Sequence, residues 1–276
     1  MDTDVSEAVA GLQLWPHHLD TLRNVVERFE PDPTVLAVIF GGSLAHGFGR
    51  ESSDIDLVIL VTPEEMARRR KTRELTHASD ELATYEGGYT DAKFVDLDFL
   101  RDVAAGGSDP ARWAYDGARV LFSREPELGG VLAQIARYPE EDHEDRLRAF
   151  TAQVCAWRWF HREALGKQNR YLQTTALSKL VLFVCRLTLA HNRTLYPFHK
   201  WVLRVTEEVP NRPVDLIERI EDLLAAPEQD KVDALATSVL EHFGHDPAEV
   251  ERTWGTNFLL DTELTWQRGR PPVDEL

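Results

Sequence analysis

The sequence predicts an α+β fold: an N-terminal half in which short strands alternate with helices, then a C-terminal half that is helical throughout. Three observations carry this. Two apolar runs rich in β-formers, residues 35–40 and 54–61, flank a polar stretch that begins with Gly41-Gly42. Pro126, Gly129, Gly130 and Pro139 then interrupt the pattern over residues 123–139. Beyond them, long apolar stripes at helical spacing take over with no strand pattern. The expected domains are therefore 1–124 and 125–276.

Taken in order, residues 1–14 read as a loose leader. Residues 16–30 place Leu19, Leu22, Val25, Val26 and Phe29 at helical spacing, with Pro16 suited to the first turn and Pro31 and Pro33 stopping it. Residues 35–40 form a buried strand. Gly41 and Gly42 break it and let the backbone take unusual dihedrals or approach a ligand closely. Ser43 stands where a short helix begins, and residues 49–53 form a polar loop. Residues 54–61 form the second strand; its period of two puts Asp54 and Asp56 on one face, with Ile55 and Leu57 on the other. Residues 63–86 are charged and helix-compatible, with a basic run over 68–71 that reads as a solvated face. Residues 93–100 alternate as a further strand, with Asp96 and Asp98 sharing a face. Residues 119–123 form a last short strand. Helices are expected over 143–166, 171–191 (broad enough to be central and buried), 213–225, 231–243 and 247–258. The tail 268–276 should lie over the surface.

Composition narrows the function. Hydrophobic residues make up 43% of 276, enough for a true core. A net charge of −16 argues against broad, non-specific gripping of nucleic acid. The two cysteines, Cys155 and Cys185, sit in apolar helical segments and read as buried free thiols. No CxxC or clustered Cys/His set occurs, so zinc is not expected. The N-terminus lacks a signal-peptide pattern, and no uninterrupted apolar run approaches a membrane span; a cytoplasmic protein is expected.

The chemistry lies in residues 42–56. Two carboxylates side by side at the start of an apolar strand repel each other unless a cation neutralises them. Hard oxygen ligands suit Mg²⁺ or Mn²⁺, and Mg²⁺ is commonly shared between one or two carboxylates and substrate phosphates. Gly42-Ser43, ten intervening residues, then Asp54-Ile55-Asp56 resembles the signature of the DNA polymerase β-like nucleotidyltransferase superfamily. The match is contiguous and covers about a tenth of the chain, and the strand–turn–helix–loop–strand context fits it.

That resemblance implies a mixed β-sheet flanked by helices, with a C-terminal helical bundle closing a cleft over nucleotide and acceptor. It implies ATP or another nucleoside triphosphate as substrate and Mg²⁺ or Mn²⁺ as cofactor. Asp54, Asp56 and Asp96 would ligate metal and carry catalysis, Asp98 being the alternative third carboxylate. Gly42, Ser43 and Ser53 would contact phosphates. Lys200, in a polar and aromatic cluster over 191–201, is assigned a further phosphate contact. Size, acidity and the helical second half resemble the aminoglycoside and lincosamide nucleotidyltransferases. This favours AMP transfer to a hydroxyl of a small molecule, an antibiotic among the candidates, with neither membrane nor stable nucleic-acid partner. The alternatives are transfer to tRNA or protein, as in nucleotidyltransferase toxins, and a non-catalytic nucleotide sensor.

Overall fold

The chain begins with α1 (Val5–Ala8) and α2 (Pro16–Phe29) and enters the sheet at β1 (Val35–Phe40). A single helical turn, α3 (Gly42–Ala45), leads to β2 (Ile55–Val61) and α4 (Pro63–Thr72), and then to β3 (Thr76–Ser79) and β4 (Thr90–Val95). Helices α5 (Leu97–Gly106) and α6 (Asp109–Trp113), strand β5 (Arg119–Ser123) and helix α7 (Leu128–Ile135) follow. The rest is helical: α8 (His143–Gly166), α9 (Arg170–His191), α10 (Val202–Glu208), α11 (Leu216–Ala225), α12 (Gln229–His242) and α13 (Pro247–Phe258). The computed structural model describes residues 5–268 and Val273; most of the expected surface tail lies outside the described residues.

The five strands form one mixed sheet in the order β3-β4-β2-β1-β5. β1 pairs antiparallel with β2 and β5, β4 pairs parallel with β2, and β3 pairs antiparallel with β4. One sheet face buries Val38, Phe40, Ile55, Leu57, Ile59 and Phe94 against α1 and α2. The other buries Ala37, Ile39, Leu60 and Val95 against α5 and α7. The expected leader is no loose segment: Val5 and Val9 are about 5% exposed and belong to the first of these cores.

Two stretches differ from the sequence reading. The helix expected over 63–86 ends at Thr72, because Arg73 takes a left-handed conformation (φ 63°) and the chain turns back into the edge strand β3. The strand expected over 93–100 ends at Val95. Asp96 is the N-cap of α5, its carboxylate accepting the Phe99 N–H at 2.9 Å. Leu97, Leu100 and Val103 then follow helical spacing, and Leu100 and Val103 are buried. The alternation of 95, 97 and 99 was the first turn of a helix read at the wrong period.

The chain divides into two units at Arg137/Tyr138. Helix α7 belongs to the first, because Leu128, Val131, Leu132 and Ile135 complete the core under α5. In the second unit α8 and α9 pack against each other, α12 and α13 pack on α8, and α10 packs on α9. Every residue from Leu180 to Ala190 is buried, Arg186 and Thr188 included, so α9 is covered on all sides. It has the length and composition of a membrane span, yet 61% of its most apolar window is buried, as in a core helix. Cys155 and Cys185 are free and buried, and burial pushes their thiols up to about 11 and about 12.

Candidate active site

The end of β1 and the start of β2 are tied by the Gly41 N–H, which donates to the Asp56 carbonyl at 3.0 Å. Gly42 follows in the left-handed region (φ +70°). A side chain here would overlap the Asp56 carboxylate: its Cβ would lie 2.5 Å from the Asp56 Cβ and closer still to the carboxyl oxygens. The next backbone N–H, from Ser43, donates to the same carboxylate. The Gly-Ser turn therefore holds Asp56 directly. Ser43 is 7% exposed, so little of its surface is left for a phosphate.

Asp54 and Asp56 share a face of β2, as the strand period requires. The third carboxylate on that face is Asp91. In the parallel β2–β4 ladder Asp56 is the register partner of Asp91, so both side chains leave the same side of adjacent strands. Further along, the same face is apolar at Leu60 and Val95, which enter the core under α5 and α7. The acidic end of this stripe is the part the core does not use.

The charges register one another. Burial holds the Asp56 carboxyl above its ordinary value, and Asp54 and then Asp91 add to the shift. Lys93, two residues along β4 from Asp91, and the Ser43 N–H oppose it. The Tyr89 hydroxyl donates to Asp54, which raises the phenol's pKa.

Neither Asp96 nor Asp98 belongs to this group. Asp96 lies five residues beyond Asp91, about 16 Å along the strand direction at ~3.3 Å per residue. Its carboxylate is committed to the α5 cap and to Arg70, at 3.1 Å. Asp98 is 82% exposed on α5 and pairs with Arg101 at 2.9 Å. The signal for Asp91 was present but unread: Thr90, Ala92 and Phe94 alternate inward while Asp91 and Lys93 alternate outward. An Asp followed by apolar residues at helical spacing also marks Asp96 as a cap.

Ser53 is occupied by its own loop. Its hydroxyl accepts the Arg50 N–H at 2.8 Å. Its carbonyl accepts from His18 Nε2 at 3.2 Å and from the Tyr85 hydroxyl. His17 Nε2 donates to the Glu51 carbonyl at 2.9 Å, and His17 and Tyr85 pack ring to ring at 4.4 Å. His18 is fully buried; burial and the neighbouring His17 lower its pKa, so it serves as a neutral donor. This His–His–Tyr clamp, unforeseen in the sequence, fixes the residue before Asp54. Tyr85→Phe removes one donor from a part-buried carbonyl. It is expected to lower unfolding stability by about 1 kcal/mol in urea melts and turnover severalfold; an unchanged midpoint would show that the clamp does not hold the loop.

On the other side of the turn, His46 follows α3 and stacks on Trp113 of α6 at 3.7 Å and 14°. Burial takes its pKa down to about 4, so the ring is neutral at pH 7. Arg68 and Arg70 of the basic run pair with Glu65, Glu74 and Asp96, and Arg69 lies over the Phe94 ring. Lys200 lies in the second unit, in the turn before α10, with its ammonium 5.2 Å from the Trp201 ring; its phosphate contact is an expectation from sequence alone.

Among the described residues, no three His, Cys, Asp or Glu side chains are already gathered around a metal position. The donor set nevertheless fits a hard divalent cation. It offers carboxylate oxygens only, and the pKa of Asp56 is raised by burial and then by like charge that a cation would neutralise.

A mixed sheet that carries a Gly-Ser turn and strand-borne carboxylates at one end defines a nucleotidyl-transfer class of fold. Residues 19–88 match the family model of the nucleotidyltransferase domain, which belongs to the DNA polymerase β-like superfamily. That match supports a transferase of this type, for which the domain implies a nucleoside triphosphate substrate. No curated protein matches the sequence significantly. Among solved structures, a nucleotidyltransferase-like protein from Exiguobacterium sibiricum 255-15 is 13% identical, with a TM-score of 0.46, over 91% of this chain and 80% of that one. The Thermotoga maritima CCA-adding enzyme complexed with tRNA is 16% identical, with a TM-score of 0.29, over 92% and 69%. A CCA-adding enzyme with ATP is 13% identical, with a TM-score of 0.26, over 93% and 85%.

Proposed function

We propose that this chain transfers a nucleoside monophosphate, AMP from ATP in the first instance, to a hydroxyl of a small molecule. The observation that carries the reading is the register of Asp56 with Asp91, beside Asp54 and against the Gly42 turn. Asp91 takes the place that the sequence reading assigned to Asp96.

In the reaction the acceptor oxygen bonds to the α-phosphorus, the bond to the bridging oxygen breaks, and pyrophosphate leaves. Asp54, Asp56 and Asp91 would hold Mg²⁺ or Mn²⁺, which supplies neutralising charge for the attacking and leaving oxygens and lowers the acceptor's pKa. Asp91, on the strand next to the pair, is the carboxylate proposed to take the acceptor's proton. Ser43 and Gly42 keep the Asp56 carboxylate oriented. Tyr89 orients Asp54 through its hydroxyl.

The net charge of −16 supports a small and preferably cationic acceptor over a polyanion. Aminoglycosides combine hydroxyls with positive charge and lead the acceptor panel, with lincosamides next. Incubation with α-labelled ATP and Mg²⁺ should transfer label to a member of that panel. Label on tRNA or protein instead would replace the small-molecule reading, and nucleotide binding without transfer to any acceptor would favour a sensor.

The third carboxylate has its own test. Asp91→Asn should reduce turnover by about 10²-fold or more, since a lost charge or proton acceptor at the reacting centre is worth roughly 3 kcal/mol. Asp96→Asn should leave turnover within a few-fold and cost less than about 1 kcal/mol, because Asn caps a helix about as well as Asp and the pair with Arg70 is partly exposed. The reverse ranking would restore Asp96 to the site.

A further inference from the structure

The second unit contains a group of imidazoles that the transfer reaction does not use. His191 is the last residue of α9, and His245 lies in the link from α12 to α13. Their Nε2 atoms face each other at 3.3 Å. The His191 ring and the His245 backbone are each held in place. His191 stacks face to face on Phe243 at 3.9 Å and 4°. The His245 N–H donates to the Leu240 carbonyl at 3.0 Å, folding the link back over the end of α12.

Two neutral imidazoles meeting Nε2 to Nε2 share one proton at best, in a single N–H···N contact. The same spacing is that of two nitrogens bound to one tetrahedral ion: metal–nitrogen bonds of about 2.0–2.1 Å place their nitrogens about 3.3–3.4 Å apart. Two helix ends favour a cation here. α9 ends at His191 and α12 ends three residues before His245, so both present the negative end of a helix dipole to the pair. The Arg193 guanidinium, whose charge also reaches His191, is paired with Glu140 at 3.0 Å.

We propose that His191 and His245 form a binding site for a borderline divalent cation of the zinc class, with solvent completing the coordination. His143 and His242 lie within electrostatic reach of His191. Each already uses one nitrogen, His143 Nδ1 with the Tyr138 hydroxyl and His242 Nε2 with Asn211 Oδ1. The site differs from the carboxylate group in ligand chemistry as well as in unit: imidazole suits Zn²⁺, Cu²⁺ and Ni²⁺, whereas carboxylates suit Mg²⁺ and Mn²⁺. Sequence reading had no signal for it, because the two ligands are 54 residues apart.

Cu²⁺ and Zn²⁺ are the probes, used on the full chain in a non-chelating buffer. One equivalent of Cu²⁺ should give an electron paramagnetic resonance spectrum with hyperfine splitting from two imidazole nitrogens. Zn²⁺ should bind with a Kd below about 10 μM by equilibrium dialysis. His245→Asn should weaken Zn²⁺ at least tenfold and remove the two-nitrogen signal, and His191→Gln should do the same if the first variant is poorly folded by circular dichroism. Asp54→Asn with Asp56→Asn should keep both. Two outcomes would overturn the proposal: no stoichiometric binding by folded wild type, or a nitrogen signal and a Zn²⁺ affinity unchanged in the histidine variants. Neither bears on the transferase reading, whose metal dependence is lost through the aspartates.

Discussion

Asp56→Asn is expected to abolish nucleotidyl transfer, by about 10³-fold or more, while leaving the metal-free protein at least as stable as wild type. The two halves of this result have one cause. On the proposed reading the carboxylate's charge serves the reaction, and it burdens the fold: burial raises its pKa, and Asp54 and Asp91 raise it further. Losing a ligand that neutralises transition-state charge removes several kcal/mol of stabilisation, at about 1.4 kcal/mol per factor of ten. Asparagine keeps an oxygen for the Ser43 N–H and discards the charge.

The pH dependence follows from the direction of the shift. A carboxyl whose folded pKa lies above its ordinary value of 3.8 binds its proton more tightly in the folded state. Its contribution to stability is fully present below about 3.8 and is lost as pH rises through the folded value. In EDTA, the melting temperature of Asp56→Asn should therefore gain on that of wild type as pH rises through this window, then level off. Mg²⁺ should raise the wild-type midpoint and not that of the variant. A gap that stays constant across the window would mean that Asp56 is not held in the strained state described.

The second large effect is expected at Gly42. Gly42→Ala forces a left-handed conformation on a residue with a Cβ and drives that Cβ into the Asp56 carboxylate. The backbone component costs about 1–2 kcal/mol, and overpacking a filled site about 1–3 kcal/mol more. Turnover should fall by about 10²-fold or more, because a displacement of about 1 Å at the reacting centre has that effect. Gly47 supplies the control. Its φ is +73° and no atom lies within 4 Å of the position a Cβ would take, so Gly47→Ala incurs only the backbone cost and should retain activity within a few-fold. Equal loss of activity in the two variants would show that overlap with Asp56 is not what makes glycine necessary.

Much of the site was readable because it is local. Gly42-Ser43 and Asp54-Ile55-Asp56 lie within fifteen residues, and the strand period alone puts both aspartates on one face. The buried character of α9 was equally plain from its breadth of apolar positions. The leader, the end of α4 and the start of α5 were harder, because each is decided by one residue's conformation or by what the segment packs on. Val5 and Val9 look like scattered apolar residues until the sheet is there to receive them. Asp96 looks like a strand residue until its carboxylate is seen to accept the Phe99 N–H.

The sequence by itself determined the fold class, the nucleotidyltransferase signature and the pair Asp54 and Asp56, since strand period and short spacing need no knowledge of distant neighbours. Only the tertiary structure brought Asp91 onto the face of Asp54 and Asp56, set the clamp of His17, His18 and Tyr85 on the loop before Asp54, and made His191 meet His245. Those depend on strand register and on which helix ends converge. Both are set by the burial of apolar faces far away in the chain, and no local pattern encodes them.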